Sequence, residues 1–118
     1  MEAPPLTPAV FHILLALADG PRHGYAVMQA AEETGPGLSW GPGTVYGSLQ
    51  RMEDLGLVCG VEPAAVREIS PPDGRGRPRR YFELTEAGIE ALRGEAQRLD
   101  ALSALTLSKK SLRDGVGR

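Results

Sequence analysis

The sequence predicts a mainly α-helical fold with one small β-hairpin, and two observations carry the prediction. Apolar residues recur at helical spacing before residue 56 and again after residue 84. Between them, residues 57–61 and 79–84 have the pattern of short strands, and a long stretch rich in Pro and Gly separates the two. The 118 residues are enough for one compact domain with a modest core.

The first helix is expected to begin with Thr7 as its N-cap and Pro8 in the first helical position. One side of this helix carries apolar residues at i, i+3, i+4 and i+7, namely Val10, Ile13, Leu14 and Leu17. Phe11 and Leu15 make a second side apolar. A helix of this kind is buried on both sides, either in the core or against a partner chain.

A second helix is expected over residues 25–33 and a third over residues 44–55. Thr44 can cap or open the third helix, and Gly56 is a natural residue to end it. The apolar face of the third helix is formed by Val45, Leu49 and Met52. The far side of the helix is polar, which indicates that it faces solvent or a ligand.

The sequence also predicts where four other residues around these helices lie. His23 is expected to cap the second helix, and Tyr25 and Trp40 are expected to lie in the core. Tyr46 is expected at the edge of the core, with its hydroxyl within reach of a phosphate.

A fourth helix is predicted from the N-cap Thr85 to residue 107. Its apolar residues are spaced like the a and d positions of a heptad, and the stripe consists of Ile89, Leu92, Ala96, Leu99 and, after a slight shift, Leu102. The polar residues 108–118 are expected to fray.

Three helices followed by a two-stranded hairpin form the winged helix arrangement, in which the third helix is the recognition helix and fits the DNA major groove. We therefore expect a winged helix-turn-helix domain over residues 1–84. A dimerisation helix would follow over residues 85–107, and a flexible tail over residues 108–118.

The net charge of −2 does not favour nucleic-acid binding, but the distribution of charge matters more than its sum. Four arginines lie within the six residues 75–80. The N-terminus lacks the basic region of a signal peptide, and no apolar run approaches the roughly 20 residues that span a membrane, so we expect a cytoplasmic location.

The sequence gives no sign of an enzyme. His12, His23 and Cys59 stand in different elements without the spacing of metal ligands, and no nucleophile has a base at a recognisable distance in the sequence. We therefore expect no catalytic residue, no metal and no cofactor.

Three segments together resemble the PadR-like family of bacterial transcriptional regulators. They are L-A-D-G-P-R-H-G-Y at residues 17–25, P-G-T-V-Y-G-S-L-Q-R-M-E-D-L-G-L-V at residues 42–58 and R-Y-F-E-L-T-E-A-G at residues 80–88. The single C-terminal helix resembles the short branch of the family. The segment over residues 62–79 is longer than the usual wing of the family.

The resemblance implies a homodimer that binds double-stranded operator DNA and usually represses transcription. It leaves open whether a small-molecule effector acts on the protein. The candidate DNA contacts are Ser39, Gly43, Thr44, Tyr46, Gly47, Ser48, Arg51, Arg75, Arg77, Arg79 and Arg80. The candidate dimer interface is formed by Phe11, Leu15, Ile89, Leu92, Ala96, Leu99 and Leu102. The alternative is a winged helix used only for protein contacts, with a solvated polar face on its third helix.

Overall fold

The computed structural model of the protein describes residues 6–38, 40–62 and 80–114. The predicted order of helices and strands is confirmed, and the structure adds a two-residue strand and a one-turn helix. In chain order the elements are α1 (Pro8–Ala16), β1 (Arg22–His23), α2 (Gly24–Thr34), α3 (Pro42–Asp54), β2 (Val58–Val61), β3 (Tyr81–Leu84), α4 (Glu86–Leu107) and α5 (Lys110–Arg113).

Three helices begin where a side chain accepts a hydrogen bond from a backbone amide of the first turn. The three N-caps, all of them predicted, are Thr7 for α1, His23 for α2 and Thr85 for α4. At α4, for example, the amide of Gly88 donates to Thr85 Oγ1 at 3.0 Å.

Helix α3 begins at Pro42, two residues before the predicted start, and Gly41 takes the N-cap position. The fixed φ of proline suits the first helical position, and its missing amide hydrogen would have had no helical partner there. Thr44 therefore lies inside the first turn, and the prediction that it caps or opens the helix is wrong.

The end of α3 is a Schellman motif, which confirms the predicted role of Gly56. Gly56 adopts a φ of 80°, and its amide donates to Glu53 O at 3.0 Å. The amide of Leu57 donates to Met52 O at 2.9 Å. This left-handed turn directs the chain out of α3 and into β2.

The three strands form an antiparallel sheet in the order β1-β3-β2. Tyr81 in the central strand lies opposite His23 on one side and Val61 on the other. The His23 and Tyr81 rings meet edge to face with their centroids 5.4 Å apart. Strand β1 has no alternating pattern from which it could be predicted, because it is two residues long and forms only by pairing with β3.

The core lies between α1, α2, α3 and one side of the sheet. Trp40 belongs to it, as predicted, but Tyr25 does not, because half of its surface is exposed. Helix α2 turns Val27 and Ala31 inward, and this places Tyr25 on the solvent side. The largest fully buried side chains are Ile13, Leu14, Leu49, Val27, Val45 and Val58.

Helix α4 packs on this core only near its start. Gly88 and Glu95 are buried, whereas every described residue from Ala96 onward is exposed. The sequence predicts fraying over residues 108–118. Within this segment Lys110–Arg113 form the single turn α5, residues 115–118 lie outside the described residues, and the flexible tail stays a prediction.

Candidate nucleic-acid interface

The polar side of α3 is exposed, as its sequence pattern predicts. Val45 and Leu49 are completely buried beneath it. On the outer side, Thr44, Gly47 and Arg51 are exposed, and Ser48 is half-buried at the border. The helix therefore presents one continuous polar face to the surroundings, although DNA contact by these residues stays a prediction.

Gly47 is the most informative residue on this face. A Cβ added at Gly47, or at Gly43 in the first turn, would meet no heavy atom of the described residues within 4 Å. A glycine inside a helix costs about 0.5–1 kcal/mol relative to alanine. Because packing within the described residues does not require Gly47, its presence leaves this face open to close approach by a ligand.

Tyr46 lies over the first turn of α2, and half of its surface is exposed. A Cβ at Gly24 would lie only 2.4 Å from its ring atoms and 2.5 Å from its hydroxyl. Gly24 thus leaves the space in which the Tyr46 ring packs. Tyr25, which follows Gly24, is also half-exposed, so a second tyrosine stands at this end of α2. The residue pattern does not mark Tyr25 as a candidate contact, because its exposure depends on which side of α2 packs inward.

The connection between α2 and α3 is fixed by contacts that involve His12. Trp40 Nε1 donates to Gly35 O at 2.8 Å in a buried hydrogen bond. The His12 ring lies edge to face against Trp40, and its Nδ1 is 2.6 Å from Thr34 Oγ1. His12 is therefore a packing residue between α1 and this connection.

Four of the predicted DNA contacts, Ser39, Arg75, Arg77 and Arg79, lie outside the described residues. Arg80 is described, and its Nη2 is 2.5 Å from Glu53 Oε2 at the end of α3. Contact of the wing with DNA stays a prediction, because residues 63–79 lie outside the described residues.

Cys59 in β2 lies opposite Glu83 in β3, with its Sγ 3.9 Å from Glu83 Oε2. Burial raises the pKa of the Cys59 thiol, and the nearby carboxylates of Glu83 and Glu53 raise this pKa further. A raised pKa keeps the thiol neutral and unreactive at pH 7. Across the described residues, no group of three His, Cys, Asp and Glu side chains could hold a metal ion.

The predicted dimer residues differ in exposure. Leu92 is half-buried and packs against the core of its own domain. Phe11 is half-buried, Leu15 is 37% exposed and Ala96 is exposed. On α4 the remaining members are between 40% and 45% exposed, and they are Ile89, Leu99 and Leu102.

A buried carboxylate ties the start of the chain to α4. Glu95 Oε1 accepts a hydrogen bond from the amide of Leu6 at 3.3 Å, and Glu95 also pairs with Arg98 one turn later. The hydrogen bond from Arg98 lowers the pKa of Glu95, and the bond from Leu6 acts in the same direction against the opposing effect of burial. Glu95 therefore stays ionised while it holds α4 beside the segment that leads into α1.

Three helices, of which the third presents a polar face beside a small antiparallel sheet, define a winged helix-turn-helix domain. A sequence model of the transcriptional regulator PadR-like family matches residues 13–94. The chain belongs to the PadR-like family, whose members are transcriptional regulators and not enzymes.

Two relatives illustrate this membership. A transcriptional regulator of Mycobacterium tuberculosis is 35% identical over 106 residues, which are 90% of this chain and 89% of that protein. An uncharacterised 37.1 kDa protein in transposon TN4556 of Streptomyces fradiae is 44% identical over 91 residues. That match covers 77% of this chain but only 23% of the Streptomyces protein.

Solved structures share the fold. A PadR family transcription regulator of Clostridium difficile superimposes with a TM-score of 0.66 at 23% identity, covering 84% of this chain and 94% of that chain. Bacillus subtilis PadR in complex with operator DNA has a TM-score of 0.56 at 22% identity, covering 72% of this chain and 44% of that one. Within the described residues, no helix has both the length and the apolar character that crossing a membrane requires.

Proposed function

We propose that the protein is a sequence-specific DNA-binding repressor that acts as a homodimer on a palindromic operator. The observation that carries the proposal is the exposed polar face of α3, on which Gly47 has no packing role among the described residues. A helix entering the major groove needs such a face, with donors for base edges and no bulky side chain at the point of closest approach.

The residues on this face have chemistry suited to DNA. Thr44 and Ser48 carry hydroxyls that can bond to phosphates or base edges, and Arg51 can donate two parallel hydrogen bonds to guanine. Arg51 is exposed and forms no ion pair with any other described residue. The fold shared with Bacillus subtilis PadR, whose structure contains operator DNA, supports the same use of α3.

Selection of bound sequences from random duplex DNA tests the proposal. We expect a palindromic consensus with half-sites about 34–36 Å apart, because two copies related by a two-fold axis would each read one half-site. Adding the protein to an in vitro transcription reaction from a promoter that carries this consensus should lower the transcript yield. Absence of any enriched sequence would instead favour a winged helix that contacts only proteins.

The contribution of Arg51 can be measured on the selected operator. Arg51→Ala should weaken binding by about 1–3 kcal/mol if the guanidinium reads a base. Arg93→Ala is the matched control, because Arg93 is an exposed arginine of α4 and lies outside the polar face of α3 that is proposed to contact DNA. Unchanged affinity of the Arg51 variant, with the same helical content as the parent, would remove Arg51 from the site.

The homodimer is proposed from the exposed apolar stripe of α4. Leu99 and Leu102 are 40% and 45% exposed, and an unpartnered stripe of this kind would favour aggregation. We propose that it packs against α1 and α4 of a second copy, where Phe11 and Leu15 would complete the interface.

Changing Leu99 and Leu102 together to Glu tests the dimer interface without disturbing the core, because neither residue is buried within its own chain. We expect folded monomers in sedimentation and much weaker operator binding. Gln97→Glu with Ala104→Glu adds the same two charges to exposed positions on the other side of α4. A parent chain that sediments as a monomer at micromolar concentration would refute the dimer.

A further inference from the structure

We propose that Arg80 is a positioning residue that holds the β2-β3 hairpin against the recognition helix α3, and that it is not a phosphate contact. The inference rests on the proposed function, because it concerns how the helix that reads DNA keeps its placement on the sheet. It reassigns one of the four arginines that the sequence analysis placed on DNA.

The first observation is the side of the sheet on which Arg80 lies. Side chains two residues apart in an extended chain point to the same face. Arg80 therefore shares its face with Phe82, which is 3% exposed and belongs to the core. The guanidinium carbon lies 4.9 Å from the centre of the Phe82 ring, so the side chain folds along the inner face of the hairpin.

The second observation is a gap in β2 that receives this side chain. Gly60 pairs with Phe82 across the hairpin and lies on the same face. A Cβ at Gly60 would lie 3.0 Å from Arg80 Nη2 and 3.3 Å from its Nε. The guanidinium thus lies over the backbone of β2 where glycine leaves room for it.

The third observation is the partner. Arg80 Nη2 reaches Glu53 Oε2 at 2.5 Å, and the two residues are separated by 27 positions in the sequence. Glu53 lies in the last turn of α3, two residues after Arg51. One side chain therefore touches both strands of the hairpin and the end of the recognition helix, so it limits the angle between them.

The pair also has an electrostatic consequence. Arg80 and Glu53 neutralise each other, so the pair as a whole adds no net charge at the end of α3. Because this guanidinium is already engaged by Glu53 and Phe82, contact with a phosphate would require it to leave both.

Salt dependence distinguishes a positioning residue from a phosphate contact. Affinity for DNA falls as salt rises, and loss of one phosphate contact makes the plot of log affinity against log salt shallower by about 0.9. We expect Arg80→Gln to weaken operator binding about two- to five-fold, the effect of one partly exposed ion pair, with the slope unchanged. Glu53→Gln should weaken binding to a similar extent, because it releases the same restraint. Arg93→Gln removes another exposed arginine and its ion pair with Glu90, and it should leave binding unchanged.

The exchanged pair Arg80→Glu with Glu53→Arg should recover much of the affinity that either single exchange loses. The proposal is overturned if Arg80→Gln reduces the salt slope by about 0.9, or if Glu53→Gln tightens binding by freeing Arg80 for a phosphate.

A measurement without DNA separates this inference from the proposed function. In the free protein, Glu53→Gln should shift the backbone amide resonances of Gly60 and Phe82, which Arg80 connects to Glu53. If the parent binds no duplex DNA but these resonances move, the proposed function fails and the link between the β2-β3 hairpin and α3 remains. If the resonances do not move, the inference fails whatever the protein binds.

Discussion

Gly88 lies where α4 meets the end of α3, and replacing it with alanine should destabilise the protein sharply. A Cβ at Gly88 would lie 2.0 Å from the carbonyl oxygen of Leu57. Non-bonded heavy atoms prefer separations of about 3.5–4.0 Å, so the two backbones would have to move apart by more than about 1 Å. The obstacle is backbone, which cannot turn away as a side chain can.

The size of the effect follows from what this displacement disturbs. Overpacking of this kind typically costs about 1–3 kcal/mol. Thr85 donates from its amide to Leu57 O at 3.1 Å and from its Oγ1 to Gly56 O at 2.5 Å. Weakening these hydrogen bonds adds about 1 kcal/mol, and the better helix propensity of alanine returns about as much. The free energy of unfolding should therefore fall by about 1–3 kcal/mol.

Gly94→Ala is the matched comparison, because it makes the same substitution in the same helix. A Cβ at Gly94 meets nothing within 4 Å among the described residues, so this variant should gain about 0.5–1 kcal/mol of stability. Urea unfolding at one protomer concentration measures both values, since a dimer is stabilised by mass action. If Gly88→Ala proves as stable as the parent, the close approach of α4 to Leu57 is not a feature of the folded protein.

Three further predictions concern the same framework. Gly24→Ala should change thermal stability little, because the exposed Tyr46 ring can turn away from the new methyl group, but operator affinity in a binding titration should fall; equal affinity would show that the placement of Tyr46 does not matter. Trp40→Phe should lower the free energy of urea unfolding by about 2–4 kcal/mol, since it removes the hydrogen bond to Gly35 O and leaves a gap in the core; a loss below about 0.5 kcal/mol would contradict this. The pKa of Glu95 is lowered in the folded state, so its contribution to stability is present above the unfolded pKa of about 4.3 and is lost as the pH falls through the folded pKa. Between pH 7 and pH 3 the melting temperature of Glu95→Gln should therefore fall less than that of the parent, and equal falls would refute the role of this carboxylate.

Sequence patterns predicted the elements that carry their own signals. Helix α4 is an example, because Thr85 marks its start and a regular apolar stripe follows. Strand β1 and the exposure of Tyr25 carry no such signal. The first exists only because β3 offers an edge for pairing, and the second depends on which side of α2 packs inward. Both are decided by tertiary contacts.

The same distinction applies to the candidate site. The polar face of α3 follows from helical periodicity, so the residue pattern alone is enough to place Thr44 and Arg51 on the exposed side. The partner of Arg80 cannot be predicted in this way, because Glu53 lies 27 residues away in the sequence and the two meet only when the hairpin packs against α3. A cluster of arginines indicates DNA, but it does not identify the member that is engaged within the protein.

A chain with a net charge of −2 can still present a surface that accepts phosphates, because the field at a surface depends on the nearest charges. Along α3 the acidic residues Glu53 and Asp54 occupy the last turn, and Arg80 offsets the first of them. At about 1.5 Å per residue, Asp54 lies about 15 Å along the axis from Thr44. This is about twice the screening length of about 8 Å at physiological salt, so the acidic end has little influence at the start of the helix. Arg51 lies in the last turn with these carboxylates, on the exposed side of the helix. The first half of α3, residues 42–48, carries no charged side chain, so this half places no carboxylate of its own beside a phosphate although the chain as a whole is acidic.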